Sequence, residues 1–460
     1  MFIGRDNEQK IINSLLTSDR FECALIYGRR RIGKTELVKY CIYNSNSKTI
    51  FYQCKESTEK DNVGYLTRSI EQCFNLSHLH FDSFFDALEF IFEQSKMKSI
   101  CLVIDEYPYI RELIKGCDSK LQDLIDRYHN SSKIKFFLIG SSISIMEGLL
   151  ANSSPLYGRF NRTIKLSQMD YFDSAKFYPS FSNEDKIKLY SVFGGVPLFN
   201  ARIDEKISAN ENIIRLIEGS FIDLAAYVEV YLKSELRKMN SANIIFEAIA
   251  HGAFHFSDIC GKCQKETKTN LNVILRKLIE MDFIEYIHPI NDPNNKKKSG
   301  YRIKDHIVKF YYRYIYSNDL AMPLLTEEAF FERYIKEDLE CAYIPLVFEK
   351  VCKEYLIRKN RELALEPPLE DIGTYWYDNP IEKRNGQFDV VGKTKDGYIF
   401  YECKYTNTPI TDKIIEKEIS QVNETTLHPA KYGFFSKSGF KIHKKKDCIL
   451  IDLKDLFKSK

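Results

Sequence analysis

From Gly28 to Thr35 the chain reads Gly-Arg-Arg-Arg-Ile-Gly-Lys-Thr, two glycines separated by four residues and followed at once by a lysine and a hydroxyl. Glycine at both ends lets backbone N–H groups curl around phosphates, and a helix starting directly behind adds a favourable dipole. The flanks comply. The apolar run Phe21–Tyr27 suits a buried strand, and Glu36–Cys41 suits the start of a helix. Gly28, Arg29, Arg30, Arg31, Ile32 and Gly33 would form the cradle, with Glu36 just beyond it. Lys34 is expected to reach the β- and γ-phosphates and the Thr35 hydroxyl to ligate Mg²⁺. The pattern implies binding of a nucleoside triphosphate.

A second segment completes that chemistry. Cys101–Ile104 is strand-like and ends in Asp105 and Glu106. Asp105 is placed to hold Mg²⁺ through water, and Glu106 to orient or deprotonate the attacking water. The next strand candidate ends in Gly140, Ser141 and Ser142, where a serine can contact the γ-phosphate or the water. Arg159 follows the turn at Gly158. Two roles stay open for it: an arginine finger or a solvent-facing side chain.

With 460 residues, 44% hydrophobic and 28% charged, the chain has the composition of a soluble globular protein with two to four domains. Its net charge of +3 argues neither for nor against nucleic acid. No apolar run is long enough to span a membrane, and the start is charged too early for a signal peptide, so a cytoplasmic protein is expected. The 12 cysteines are scattered, several inside apolar strands, which suits reduced thiols. Short apolar runs alternate with amphipathic stretches over 1–168, predicting an α/β core with strands at Phe21–Tyr27, Thr49–Gln53, Ile100–Ile104, Ile134–Ile139 and Thr163–Leu166. Helical patterns over 169–238 predict a small lid, interrupted by Gly194-Gly195-Val196-Pro197.

Residues 239–320 change character. Leu271, Ile274, Leu275, Leu278 and Ile279 follow helical spacing. A strand, a basic loop carrying Lys296, Lys297 and Lys298, and a returning strand come next. That order is the order of a winged helix-turn-helix, and the loop predicts salt-sensitive DNA affinity; such modules also bind proteins. The aromatic run Phe310–Tyr316 is either a base-stacking platform or the packing face of a linker helix. In 321–460, a hairpin turning at Asp396-Gly397 would set Asp389 opposite Lys404 and Glu402 opposite Val391. Asp389, Glu402 and Lys404 then share one face. Two carboxylates and a lysine so placed suit metal-dependent phosphodiester cleavage, with Asp389 and Glu402 on the metal and Lys404 beside the water. The same three residues also suit an exposed face with cross-strand ion pairs.

Taken together, Phe2–Glu8, the phosphate loop, Asp105-Glu106, Gly140-Ser141-Ser142, Gly158-Arg159 and Gly194-Gly195-x-Pro197 resemble the archaeal-type ATPases of the AAA+/STAND class. The resemblance implies that ATP is the nucleotide, that Phe2, Gly4 and Arg5 lie beside the adenine, and that Arg159 acts in trans within a homo-oligomer. It also implies a C-terminal domain similar to the PD-(D/E)XK nuclease fold, with Glu349 as an additional acid and Gln421 a further candidate. Three consecutive arginines inside the loop depart from the family pattern without disturbing phosphate binding. The implied function is Mg²⁺-dependent ATP hydrolysis on DNA; the alternative is a nucleotide-controlled switch with an inert tail and protein partners.

Overall fold

The computed structural model describes residues 2–45, 48–219, 242–264, 266–379, 384–423, 429–443 and 448–458. The part of the expected lid at 220–238 lies outside the described residues. The chain divides into two compact units, one comprising Met1–Met169 with Val196–Leu198 and the other comprising Asp170–Gly195 with Phe199–Lys460.

In the first unit, strands β1 (Glu22–Tyr27), β2 (Lys48–Gln53), β3 (Ile100–Asp105), β4 (Lys135–Gly140) and β5 (Arg162–Lys165) form a parallel sheet in the order β2-β3-β4-β1-β5. Every residue of β1, β3 and β4 is buried. Their near-continuous apolar sequences explain this, because a parallel sheet covered on both faces rewards apolar residues at every position. Leu25, Leu102, Ile104, Phe136 and Leu138 pack into one core. Their strand neighbours Ala24, Ile26, Cys101, Val103, Phe137 and Ile139 pack into the other. The helix Phe84–Gln94 seals the first face; its cap Ser83 accepts a hydrogen bond from the Asp86 N–H, and Phe92 packs edge-on to Phe136.

Parallel strands align their carboxyl ends, and that geometry positions the site. Tyr27 pairs with Gly140, and Gln53 with Asp105. The loops after β1, β3 and β4 therefore emerge along one edge of the sheet, where such folds bind ligands.

The second unit begins with helices Tyr171–Ala175 and Asn183–Phe193. Later helices Ala242–Ala250, Phe256–Lys262 and Lys268–Glu280 lead into the antiparallel pair β6 (Ile284–Ile287) and β7 (Gly300–Ile303). Tyr311, Tyr312 and Tyr314 are buried, so the aromatic run is a packing face. A mixed sheet follows, made of β8 (Asp371–Asn379), β9 (Arg384–Thr394), β10 (Gly397–Lys404), β12 (Pro429–Ser436) and β14 (Cys448–Asp452), in the order β14-β12-β10-β9-β8. Strands β10, β12 and β14 run parallel; β8 and β9 are antiparallel additions. Short strands β11 (Ile410–Thr411) and β13 (Phe440–Lys441) pair alongside. All twelve cysteines are free thiols.

The β9–β10 hairpin corrects one expectation. Gly397 pairs with Thr394 and Tyr401 with Val390, so the turn is Lys395-Asp396. Continuing the register by one residue sets Glu402, in place of Lys404, opposite Asp389. The cause is local. Thr394 Oγ1 accepts from the Asp396 N–H (3.3 Å) and donates to the Gly397 carbonyl (2.9 Å), and Gly397 uses its positive φ of 128° just after the turn. The shift is by two residues on one strand, so the face shared by Asp389, Glu402 and Lys404 is unchanged.

The loop between β6 and β7 also has a specific place. The Ile290 N–H donates to the Thr374 carbonyl (2.8 Å), and Asn291 exchanges two hydrogen bonds with the Trp376 backbone (2.8 and 3.2 Å). Lys298 lies over the Trp376 ring (4.4 Å) and 3.6 Å from Asp378. This loop covers the outer edge of β8, a strand edge that would otherwise stand open.

Candidate functional site

Gly28 leaves β1 with φ 147°, and a Cβ there would sit 2.2 Å from the Leu166 carbonyl oxygen, so only glycine fits. Gly33 (φ 90°) turns the chain into the helix Lys34–Tyr43. Pro197 flanks that turn, 3.8 Å from where a Gly33 Cβ would lie. Between the glycines, Arg29 and Ile32 are buried and Arg31 adopts a left-handed φ of 67°. Arg30 reaches outward to the Tyr109 hydroxyl (3.0 Å) and Ser141 Oγ (3.5 Å). The buried Lys34 ammonium donates to the Gly28 and Arg29 carbonyls, each at 2.8 Å. Glu36 is exposed on the first turn of the helix.

Thr35 Oγ1 donates to Asp105 Oδ2 at 2.7 Å. Asp105 Oδ1 accepts the Glu106 N–H at 2.9 Å, and Glu106 Oε2 accepts the Ser141 hydroxyl at 2.7 Å. Glu106 holds φ 53°, a left-handed conformation uncommon for a residue with a Cβ and concentrated at functional positions. Burial pushes the Asp105 carboxyl up; the Thr35 hydrogen bond opposes that shift and the Glu106 charge reinforces it. A single chain of contacts thus runs Thr35–Asp105–Glu106–Ser141–Arg30.

Other nominated residues sit elsewhere. Arg5 is buried and its guanidinium reaches the Ile32 (3.4 Å) and Ser167 carbonyls, beside the loop, with Gly4 directly before it. Phe2 stacks on Tyr40 at 4.9 Å, on the helix behind the loop. Arg159 forms an ion pair with Asp126 (3.1 Å) and lines a separate cavity of about 380 Å³ with His129 and Phe160.

On the mixed sheet, Lys404 Nζ lies 2.5 Å from Glu402 Oε1 and 3.2 Å from Glu418 Oε1. Asp389 is exposed and accepts from Gln387 Nε2 (2.7 Å). Gln421 Nε2 donates to the Tyr377 hydroxyl (3.2 Å). Burial raises the Glu402 carboxyl, with Lys404 opposing and Glu418 and Asp389 reinforcing. Glu349, on the helix Ile344–Arg361, feels both Asp389 and Glu402. Among the described residues, no three His, Cys, Asp or Glu side chains are arranged to hold a metal ion.

Residues 2–199 match a family described as an ATPase domain predominantly from Archaea, and residues 311–422 match a family of archaeal and bacterial proteins of unknown function. Over 465 residues, 99% of this chain and 100% of the relative, the sequence is 30% identical to the uncharacterized protein MJECL04 of Methanocaldococcus jannaschii. The chain belongs to the archaeal ATPase family. Among solved structures, the Walker-type ATPase PABY2304 of Pyrococcus abyssi is similar over 68% of this chain and 96% of that one, with a TM-score of 0.49 at 19% identity. The ORC2 protein of Aeropyrum pernix, solved as ADPNP–ADP complexes, is similar over 70% and 94%, with a TM-score of 0.46 at 11% identity.

The first unit of this archaeal ATPase binds and hydrolyses ATP. Two contact residues, one in each unit, escaped the sequence reading. Tyr109 belongs to no motif, although it lies one helical turn beyond Asp105. Glu418 becomes a partner of Lys404 only once the helix Asp412–Asn423 packs beside β10. Among the described residues, no helix is long and apolar enough to cross a membrane.

Burial, Asp389 and Glu402 push the Glu349 carboxyl up to about 8, against the opposing charges of Arg302 and Lys309. A carboxyl whose pKa rises on folding stabilises the fold fully below its unfolded value and loses that contribution as pH climbs towards the folded value. The thermal midpoint of wild type should therefore fall relative to that of Glu349→Gln as pH rises from the ordinary glutamate range to about 8. A difference between the two midpoints that stays constant across that window would refute the assignment.

Proposed function

We propose that this ATPase hydrolyses ATP with Mg²⁺ at the Lys34–Thr35–Asp105–Glu106 array and acts on DNA through its second unit. The observation that carries the first half is the 2.7 Å hydrogen bond from Thr35 to Asp105, which brings a hydroxyl and a carboxylate together at the start of the phosphate-loop helix. Both are hard oxygen donors, and Mg²⁺ sites of this class use one or two such groups with substrate phosphates and water. The ion would supply charge neutralisation between the β- and γ-phosphates. Lys34, now bonded to loop carbonyls, exchanges them for phosphate oxygens. Glu106 takes the proton of the attacking water, and Ser141, hydrogen-bonded to Glu106, registers the γ-phosphate. Phe2, Gly4 and Arg5 flank the base. Arg159 serves a neighbouring copy; its own partner, Asp126, is a half-exposed ion pair of the kind worth about 0–1 kcal/mol and readily exchanged.

We assign residues 169–238 to the lid, 239–320 to a winged helix and 321–460 to a nuclease-like tail. The helix Lys268–Glu280 supports this reading, because it buries Leu271, Ile274, Leu275 and Leu278 and leaves Asn272, Arg276 and Lys277 exposed. Amide and guanidinium groups on one helix face suit base edges and phosphates in a major groove. Lys296 and Lys297 remain exposed for the backbone, whereas Lys298 is engaged with Trp376 and Asp378. Asp389 and Glu402 would hold Mg²⁺ in the tail, with Lys404 beside the attacking water. We place this activity in the cytoplasm.

Glu106→Gln should lower steady-state ATP turnover by about 10²–10⁴-fold while nucleotide affinity is retained; turnover equal to wild type would exclude Glu106 as the base. For the tail, supercoiled plasmid incubated with Mg²⁺ or Mn²⁺ should be nicked by wild type and left intact by Asp389→Ala and Glu402→Ala. Nicking that persists in both variants removes the assignment.

A further inference from the structure

The Glu349 turn of the helix Ile344–Arg361 is approached from two directions. Asp389 of β9 and Glu402 of β10 act on it from the mixed sheet. Arg302 of β7 and Lys309 of the helix His306–Phe310 act on it from the hairpin segment. Direct contacts hold that segment in place. Lys350 Nζ bonds the Lys304 carbonyl (3.4 Å) and His306 Nε2 (2.8 Å), and the Tyr343 hydroxyl donates to the His306 carbonyl (3.3 Å). The β6–β7 loop is fastened to β8 through Thr374 and Trp376.

What distinguishes Arg302 and Lys309 is how they are partnered. Among the described residues, neither side chain makes a hydrogen bond or an ion pair. Arg302 is exposed and lies over the Phe254 ring at 5.6 Å. The Lys309 ammonium lies over the Tyr343 ring at 4.9 Å, and burial lowers its pKa to about 8. Withdrawing a cation from water without a counter-ion is costly. Arg313 and Lys350 add further positive charge around Lys309, and Glu349, the acid that acts on it, forms no ion pair with either cation. An anion from outside the chain is the group that would.

We propose that Arg302 and Lys309 hold a DNA phosphate beside the Asp389–Glu402–Lys404 site, so that the hairpin segment and the mixed sheet grip one strand together. This rests on the DNA reading above. A phosphodiester has two non-bridging oxygens. Arg302 offers a planar fork that matches a phosphate edge, and Lys309 a point charge behind it. The opposite oxygen then faces Asp389 and Glu402, which would hold a divalent cation to offset the like charges. The hairpin thus supplies the positive half of a site whose negative half is on β9 and β10.

The test is fluorescence anisotropy of a short fluorescein-labelled DNA duplex with the full chain, Ca²⁺ replacing Mg²⁺, titrated at several salt concentrations. Wild type, Arg302→Gln, Arg302→Lys, Lys309→Met and Lys297→Gln are compared. Arg302→Gln and Lys309→Met should each weaken binding and lower the salt slope by about 1, the signature of one lost phosphate contact, with Arg302→Lys restoring the slope. Arg302 is exposed, so its pair of variants decides the matter even if Lys309→Met fails to fold. Weaker binding at an unchanged slope, or no change at all, overturns the composite site while wild-type binding, sensitive to Lys297→Gln, leaves the DNA reading standing. No binding by wild type at any salt removes both.

Discussion

One hydrogen bond ties together two segments seventy residues apart, Thr35 Oγ1 to Asp105 Oδ2. Its 2.7 Å length depends on the parallel sheet, which brings the carboxyl ends of β1 and β3 to the same edge with β4 between them. The cores on both faces fix those strand ends, and the strand ends fix the loop. Glu106 and Ser141 follow from the same constraint, since each is the first residue beyond its strand. The strained backbone at Glu106 is therefore sustained by a buried strand on one side and a hydrogen-bonded helix start on the other.

The second unit depends on a different device, the helix Ile344–Arg361. One face packs on β8, β9 and β10, and its polar side chains tie in other elements. Glu354 accepts from the Tyr190 hydroxyl (3.0 Å) and the Tyr171 N–H (3.0 Å), while Arg358 lies over the Phe172 ring at 4.0 Å and pairs with Asp170. Glu354 is raised to about 7, first by burial. Carboxyls withdrawn from water in this way persist when each oxygen has a donor, as here. The helix joins the start of the unit, the hairpin segment and the mixed sheet.

Local spacing made the phosphate loop legible, because G-x-x-x-x-G-K-T specifies its own backbone and needs no partner to be recognised. The five parallel strands were equally readable, since runs such as Cys23–Ile26 and Leu102–Ile104 are apolar at every position, as burial on both faces demands. The β9–β10 register was not, because Asp-Gly is a strong turn signal and only the Thr394 side chain shows that glycine serves after the turn. Lys298 read as a free basic tip; its engagement by Trp376 and Asp378 is a tertiary contact across about eighty residues, which no local pattern encodes. Arg302 and Lys309 were silent for the same reason. Each is an ordinary surface-type residue until the Glu349 helix is placed beside it.

The central claim is that the Gly28–Thr35 loop grips a triphosphate with backbone amides and the Lys34 ammonium. Calorimetric titration of Mg–ATP into wild type and Lys34→Met tests it most directly. Saturable heat is expected for wild type and its loss for the variant, with the two proteins equally folded by circular dichroism. Equal affinity in both proteins, or no heat in wild type with any nucleotide, would contradict it.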